Sequence, residues 1–315
     1  MKNQSKNQSK YAKNTLYRVI DILQNNPELS LKEIARICHM KPPRLNYYLN
    51  LIRKNNLGRF VYYINPYCLG YIECGIYLKI DKKNITKVIN KLKSNEKVFL
   101  IATLIGKFNL FFGAFVRNLY DINEIIKEIA RYVREYYIAV REIYREFSRK
   151  IRSKERKVIF EYGYINMLKI ELDKKDREIL KSILANPDES SLEISEKLKI
   201  PASTIRHKVR EWRKKKFLKR SFFINDLAFN KHLLAMLIRT RDVSEIKRMI
   251  EGNELKTCIG YSTTFGSIWN IELYFSYEKF EEFSADYEKI SSLSIDSYEI
   301  LLGFKVEFYD LSRII

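Results

Sequence analysis

The stretch Ser190-Ser191-Leu192-Glu193-Ile194-Ser195-Glu196-Lys197-Leu198-Lys199-Ile200-Pro201-Ala202-Ser203-Thr204-Ile205-Arg206-His207-Lys208-Val209-Arg210-Glu211-Trp212-Arg213-Lys214-Lys215-Lys216 decides the fold. It reads as a helix-turn-helix. Ser191 is expected to cap a short helix whose apolar face is Leu192, Ile194 and Leu198. Ile200-Pro201 breaks that helix, and Ser203 or Thr204 opens a second. In the second helix Ile205, Val209 and Trp212 recur at i, i+4 and i+7, so they share one core-facing stripe. Arg206, Arg210 and Arg213 follow one position on, as a flanking row of guanidinium donors. A helix opened by small hydroxyl residues and followed by two turns of guanidinium suits a DNA major groove, where Arg reads guanine edges. Ser203, Thr204, Arg206, His207, Arg210 and Lys214 are therefore the expected DNA contacts of this helix. The bland alternative is a solvated basic face on an ordinary helical hairpin.

A second copy argues against that alternative. Asn26-Pro27 stands 160 positions before Asn186-Pro187, and at the same offset Ser30 matches Ser190, Glu33 matches Glu193 and Ile34 matches Ile194. Arg53 and Lys54 likewise match Arg213 and Lys214, and Ile64-Asn65 matches Ile224-Asn225. An ungapped register of this length is an internal duplication. In the first copy Leu31, Ile34 and Ile37 lie on one helix and Lys41-Pro42-Pro43 marks the turn, where proline's missing N–H would have no partner in any case. Leu45, Leu49 and Ile52 then face the core. Arg44, Asn46, Tyr47, Tyr48, Asn50, Arg53 and Lys54 fill the remaining surface, with Asn46 and Asn50 placed to read adenine and Tyr47 or Tyr48 to bond a phosphate. The two reading helices differ chemically, so the halves are expected to read different sequences, or only one of them reads.

Composition points to the same partner. The chain has 315 residues, a net charge of +20 and a pI near 9.6, so its self-repulsion calls for a polyanion, and double-stranded DNA is the leading candidate. Cys38, Cys68, Cys74 and Cys258 show no C-x-x-C spacing, and His39, His207 and His232 are too few and too scattered to complete a metal site. No cofactor or metal is expected. With no signal peptide and no cysteine framework, a cytoplasmic location is expected. Residues 1–12, with the repeat Lys-Asn-Gln-Ser-Lys-Asn-Gln-Ser, have almost nothing to bury and read as a disordered arm.

Each copy continues into a basic β segment, residues 59–64 and 219–224, where a winged helix carries its wing. Arg59, Lys219 and Arg220 are expected to meet phosphates there. Beyond the first segment come a strand near 71–80, a helix near 85–93, two strands within 98–116, a helix near 122–132 and a strand near 137–147. The run 98–116 is about as long and apolar as a membrane helix, but Gly106-Lys107-Phe108-Asn109 in its middle reads as a hairpin turn. The same βαββαβ order recurs over 233–308.

These residues resemble the Lrp/AsnC family of feast/famine regulators of bacteria and archaea. The likeness rests on Leu172-Asp173-Lys174-Lys175-Asp176-Arg177-Glu178-Ile179-Leu180, Leu192-Glu193-Ile194-Ser195-Glu196-Lys197-Leu198, Ser203-Thr204-Ile205-Arg206 and Lys215-Lys216-Phe217-Leu218-Lys219. It implies an α+β fused pseudo-dimer, in which two winged helix-turn-helix domains (13–66 and 171–226) alternate with two ferredoxin-like domains (67–150 and 227–315) across a basic linker or strand (151–170). Family members usually hold one copy and pair through the α/β domain, so the two α/β units are expected to pack sheet to sheet within this chain. Exposed sheet edges would favour a further homodimer. The family's effector turn corresponds to Gly106, Asn109, Gly266 and Asn270, but its usual acidic residue is absent from both copies, and Gly106 and Gly266 read more simply as turn glycines.

The expected function is a sequence-specific transcriptional regulator, not an enzyme. An architectural DNA-binding protein would use the same charge without reading bases. A siroheme-decarboxylase-like enzyme, a class that also resembles Lrp/AsnC chains, would need histidine or arginine converging on the α/β pocket.

Overall fold

The structure, a computed structural model, describes residues 2–149, 156–164, 168–265, 268–308 and 315. Helices α1 (Lys2–Asn25), α2 (Leu31–Ile37) and α3 (Pro42–Lys54) lead into strand β1 (Gly58–Ile64). The first α/β unit is β2 (Ile72–Ile80), α4 (Ile85–Ser94), β3 (Val98–Ile105), β4 (Leu110–Val116), α5 (Leu119–Ile129) and β5 (Val133–Phe147), and β6 (Val158–Gly163) follows it. The second half repeats this as α6 (Lys174–Ala185), α7 (Ser191–Leu198), α8 (Ala202–Lys214) and β7 (Leu218–Ile224). It continues with β8 (His232–Thr240), α9 (Val243–Glu251), β9 (Cys258–Phe265), β10 (Ile271–Tyr277), α10 (Phe280–Ser291) and β11 (Ile295–Phe308).

The duplication persists in the backbone. His39 and Lys199, Asn56 and Lys216, and Gly70 and Asn230 each stand 160 positions apart, and all six adopt the left-handed conformation. Both short helices open with the same capping box: the Ser30 and Ser190 hydroxyls accept from Glu33 N and Glu193 N, and each glutamate accepts from its serine's N–H. Ser190, not Ser191, is thus the cap. Replacing Ser30 or Ser190 by Ala is expected to lower stability by about 1 kcal/mol, measurable by urea denaturation. The second reading helix begins at Ala202 behind Pro201, with no side-chain cap. Leu192 is 62% exposed, contrary to expectation, because it lies two residues from buried Ile194 and two helical residues at that spacing point apart.

The segment expected to be a disordered arm belongs to α1, which runs back to Lys2. No proline or glycine interrupts it, and Lys and Gln propagate a helix whose later turns are anchored by Val19, Ile20 and Leu23. The apolar run over 98–116 is the hairpin β3–β4, and among the described residues no helix is long and apolar enough to cross a membrane.

The two α/β units do more than stack. Strand order β2-β4-β3-β11-β8-β10-β9-β5 closes on itself, because β5 also pairs with β2, and β6 adds outside β5. Strand β5 changes partner midway: up to Val140 it pairs with β2, and from Val140 to Glu146 with β9. Strand β11 does the same between β8 and β3. Each half's last strand therefore completes the other half, and closure uses the barrel edges on which a further homodimer was expected to form, while the outer edge of β6 has no partner strand among the described residues. Phe108, Tyr77, Trp269, Leu237 and Leu301 cluster inside the closed sheet. Helices α4 and α5 cover one outer face and α9 and α10 the other.

The helix-turn-helix units are also crossed. Phe222 and Ile224 of the second half enter the core of α1–α3, and Ile64 and Cys68 of the first half enter the core of α6–α8. The join is the antiparallel pairing of β1 with β7, in which Val61 faces Ser221, its own equivalent. The pseudo-twofold axis passes through that pair. At one end of this ribbon Gly58 leaves no room for a side chain, since a Cβ would lie 2.6 Å from Phe223 O.

Candidate nucleic-acid interface

Helices α3 and α8 are related by this axis. On α8, Ile205 and Trp212 are buried and Val209 partly so, as the periodicity requires. Ser203, Thr204, Arg206, His207, Arg210 and Lys214 are exposed. Arg206 and Arg210 have no hydrogen bond or ion pair among the described residues. On α3, Leu45, Leu49 and Ile52 are buried, while Arg44, Asn46, Tyr47, Asn50, Arg53 and Lys54 are exposed. Tyr48 is only 4% exposed and packs edge-on against Tyr47, which leaves Tyr47, at 58%, as the accessible phenol. The other sequence-selected side chains of both helices lie outward.

The third member of each row, Arg213 on α8 and Arg53 on α3, serves a different purpose. Arg213 Nη2 bonds Glu28 at 2.8 Å, and Arg53 Nη2 bonds Asp188 at 3.0 Å. These pairs are equivalents under the 160-residue offset, so the C-terminal end of each reading helix is tied to the first turn of the opposite unit. At partly exposed positions such pairs add little stability, and the two units are joined chiefly by the β1–β7 ribbon and the core residues they exchange.

The wing reading needs correction. Strands β1 and β7 pair with each other and form a shared ribbon in place of two free wings. Arg220 stacks on Phe60 with its Cζ 4.0 Å from the ring centroid and donates to Pro27 O at 3.2 Å. Burial of Lys219 pushes its pKa below the usual lysine value. Only Arg59 of the three is exposed. The physical reason is burial: alternate residues of both strands, Phe60, Phe222 and Ile224, complete the helix-turn-helix cores and pull the ribbon inward.

The expected effector turn is also structural where it is described. Asn109 Oδ1 accepts from Ile80 N and its Nδ2 donates to Ile80 O, and Asn270 makes the same pair of bonds to Thr240. Both amides are spent on backbone. Gly106 has φ 146°, and a Cβ there would meet Leu301 Cδ2 at 2.8 Å, which is a turn glycine's role. Gly266 lies outside the described residues.

Sequence reasoning missed a buried ionic cluster inside the barrel. Arg141, where β5 changes partner, contacts Glu73 with Nη1 and Glu272 at 3.3 Å with Nη2. Tyr162 donates to Glu73, while Tyr77, Ser262 and Tyr274 donate to Glu272. Two carboxylates here share one guanidinium. Burial raises the Glu73 pKa above the usual carboxylate value, although Arg141 opposes the shift. The folded state then holds the proton more tightly than the unfolded chain. Stability is lost as pH rises from the ordinary glutamate value through the raised one. Glu73→Gln is therefore expected to have a higher melting temperature than the wild type at pH 8, with the gap narrowing toward pH 5. A gap that widened at low pH would contradict this assignment. No spacing in the sequence announces the cluster, because its members come from β2, β5, β6, β9 and β10.

A second buried knot joins the halves. Arg149 Nε bonds Asp226 at 3.0 Å and Nη1 bonds Glu146 at 2.8 Å, while its backbone exchanges two hydrogen bonds with Gln24 of α1. All four side chains are buried. All four cysteines are buried and free, and the described residues hold no cluster of three or more possible metal ligands.

Residues 13–51 and 172–214 each match the family of winged helix-turn-helix DNA-binding domains. The chain carries two DNA-binding winged helix-turn-helix domains. Among its relatives, an uncharacterized HTH-type transcriptional regulator of Pyrococcus abyssi is 26% identical over 113 residues, which is 35% of this chain and 71% of that protein. Another from Pyrococcus furiosus is 26% identical over 111 residues, 35% of this chain and 75% of that one. Over the whole tandem winged-helix chain, the structure of siroheme decarboxylase NirDL superposes with a TM-score of 0.63 at 15% identity, covering 95% of this chain and 96% of that one. At that identity the likeness is one of fold. The doubled architecture implied by the Lrp/AsnC resemblance is the architecture observed.

Proposed function

We propose that the protein is a sequence-specific, DNA-binding transcriptional regulator of Lrp/AsnC type, acting as a fused pseudo-dimer on double-stranded DNA. The observation that carries this reading is the pair of winged helix-turn-helix domains held about one pseudo-twofold axis, each with a reading helix whose polar face is open. Ser203, Thr204, Arg206 and Arg210 enter one major groove and Arg44, Asn46, Tyr47 and Asn50 another. Lys54, Lys214, Arg59 and His207 add contacts at the flanks. Because the readers differ, the two half-sites differ in sequence and lie one or more helical turns apart, about 34–36 Å per turn. Selection from a random duplex library is the test. An enriched motif with two unlike halves supports the reading, whereas strong binding to every duplex with no enrichment moves the protein to the architectural class.

The fold shared with NirDL raises tetrapyrrole decarboxylation as the competing reading, but fold alone carries no activity. Arg141 is the arginine buried in the barrel, and both its arms are engaged by Glu73 and Glu272. His39 and His207 lie in the helix-turn-helix units, and His232 is exposed at the start of β8. An unchanged siroheme absorbance spectrum on mixing with the protein is the expected result, and a shifted and saturable spectrum would revive the enzyme.

A further inference from the structure

A cleft of about 290 Å³ opens on the second helix-turn-helix, between the turn joining α6 to α7 and the reading helix α8. Its floor is apolar, with Ile194, Ile205 and Val209, and its rim carries Arg206, Arg210 and Arg213. Tyr62, from β1 of the other half, forms a wall and accepts a hydrogen bond from Arg213 Nη2 at 3.1 Å. Arg213 is further offset by Glu28, and Glu189 at the cleft is paired with Lys197. Arg206 and Arg210, with no ion pair among the described residues, leave the rim positive.

The pseudo-twofold supplies an internal control. At the equivalent positions of the first half, Glu189 becomes Leu29, Ser191 becomes Leu31 and Val209 becomes Leu49, while Tyr62 corresponds to Phe222. Leu29, Leu49 and Phe222 pack into the core of α1–α3. Arg206 and Arg210 are replaced there by Asn46 and Asn50. The same backbone is thus lined with hydrocarbon in one half and left concave and rimmed by cations in the other. Arg206 and Arg210 are one helical turn apart and repel each other, so packing gives no reason for the difference.

We propose that this cleft binds a small phosphate-bearing anion, which draws Arg206 and Arg210 away from the major groove and so competes with DNA at the second reader. Guanidinium forks match phosphate oxygens in bidentate geometry. At about 290 Å³ the cleft falls just below the usual range of small-ligand sites, about 300–1,000 Å³, so its ligand is compact, on the scale of a diphosphate group. The competition rests on the proposed DNA function, whereas the anion site does not.

The test uses inorganic pyrophosphate as the probe, with calorimetry on the full chain at fixed ionic strength and duplex binding measured with and without it. The decisive variant is Glu189→Leu with Val209→Leu, which installs the two leucines that pack into the first half's core and keeps both arginines. The wild type is expected to bind at one saturable site and the filled variant at least about tenfold more weakly, a step of 1.4 kcal/mol. The variant's duplex affinity should stay within about twofold of the wild type's and no longer respond to pyrophosphate. Arg206→Ala, which leaves the walls intact, should weaken pyrophosphate by about tenfold as well. Equal pyrophosphate binding by all three proteins, or none by the wild type, overturns the site. A filled variant that loses duplex affinity together with pyrophosphate assigns the cleft to the DNA backbone and overturns the free ligand. A wild type that binds pyrophosphate and no duplex leaves the anion site standing and fails the DNA reading.

Discussion

Changing Arg206 and Arg210 together to Ala is expected to abolish the preference for the selected duplex while leaving a salt-sensitive background. Each guanidinium that reads a guanine edge contributes about 1–3 kcal/mol of discrimination against the wrong base, and each phosphate contact contributes affinity without discrimination. Neither arginine supports the fold. Both are exposed and outside any ion pair among the described residues, while α8 is held by Ile205 and Trp212. The double variant should therefore keep the wild-type melting temperature. Affinity for the enriched motif should drop to that for random duplex, measured by fluorescence anisotropy across a salt series. A variant that kept the motif preference would place the reading elsewhere, with Asn46 and Asn50 of α3 the next to change.

Arg149→Ala should have the largest effect on stability. It leaves Glu146 and Asp226 buried without their guanidinium, and removing one partner of a buried pair typically destabilises by about 3–5 kcal/mol. Asp226 also accepts from Ser276 Oγ at 2.6 Å, so the loss reaches the second α/β unit. Gln24 bonds only the Arg149 backbone, and that link survives the substitution. Urea denaturation is the measurement, and an effect under about 1 kcal/mol, the range of exposed pairs, would mean that the knot is hydrated. Replacing Arg149 and Asp226 together should be milder than the sum of the single changes, since the two share one interaction.

The sequence by itself determined the repeating unit. Apolar spacing in α8, the break at Pro201 and the hairpin turn at Gly106 are local signals, because turns and helix faces are set within a few residues, whereas the cap at Ser190 was read one residue late. The constant offset then carried them into the second half. Local patterns also located most of the exposed positions of the two readers, Tyr48 excepted, which lies off the predicted apolar stripe and is nonetheless buried.

Only the tertiary structure decided which surfaces remained free and what joined the halves. Lys219 and Arg220 read as wing residues until β1 and β7 paired with each other. Asn109 and Asn270 read as effector ligands until their amides met the backbone of Ile80 and Thr240. The closed barrel, the reciprocal pairs Arg53–Asp188 and Arg213–Glu28, and the Glu73–Arg141–Glu272 cluster join residues 68 to 185 positions apart in the chain. Contacts at such separation depend on how strands β5 and β11 cross between the halves. A strand's own alternation states which residues face inward, and not which strand lies beside it.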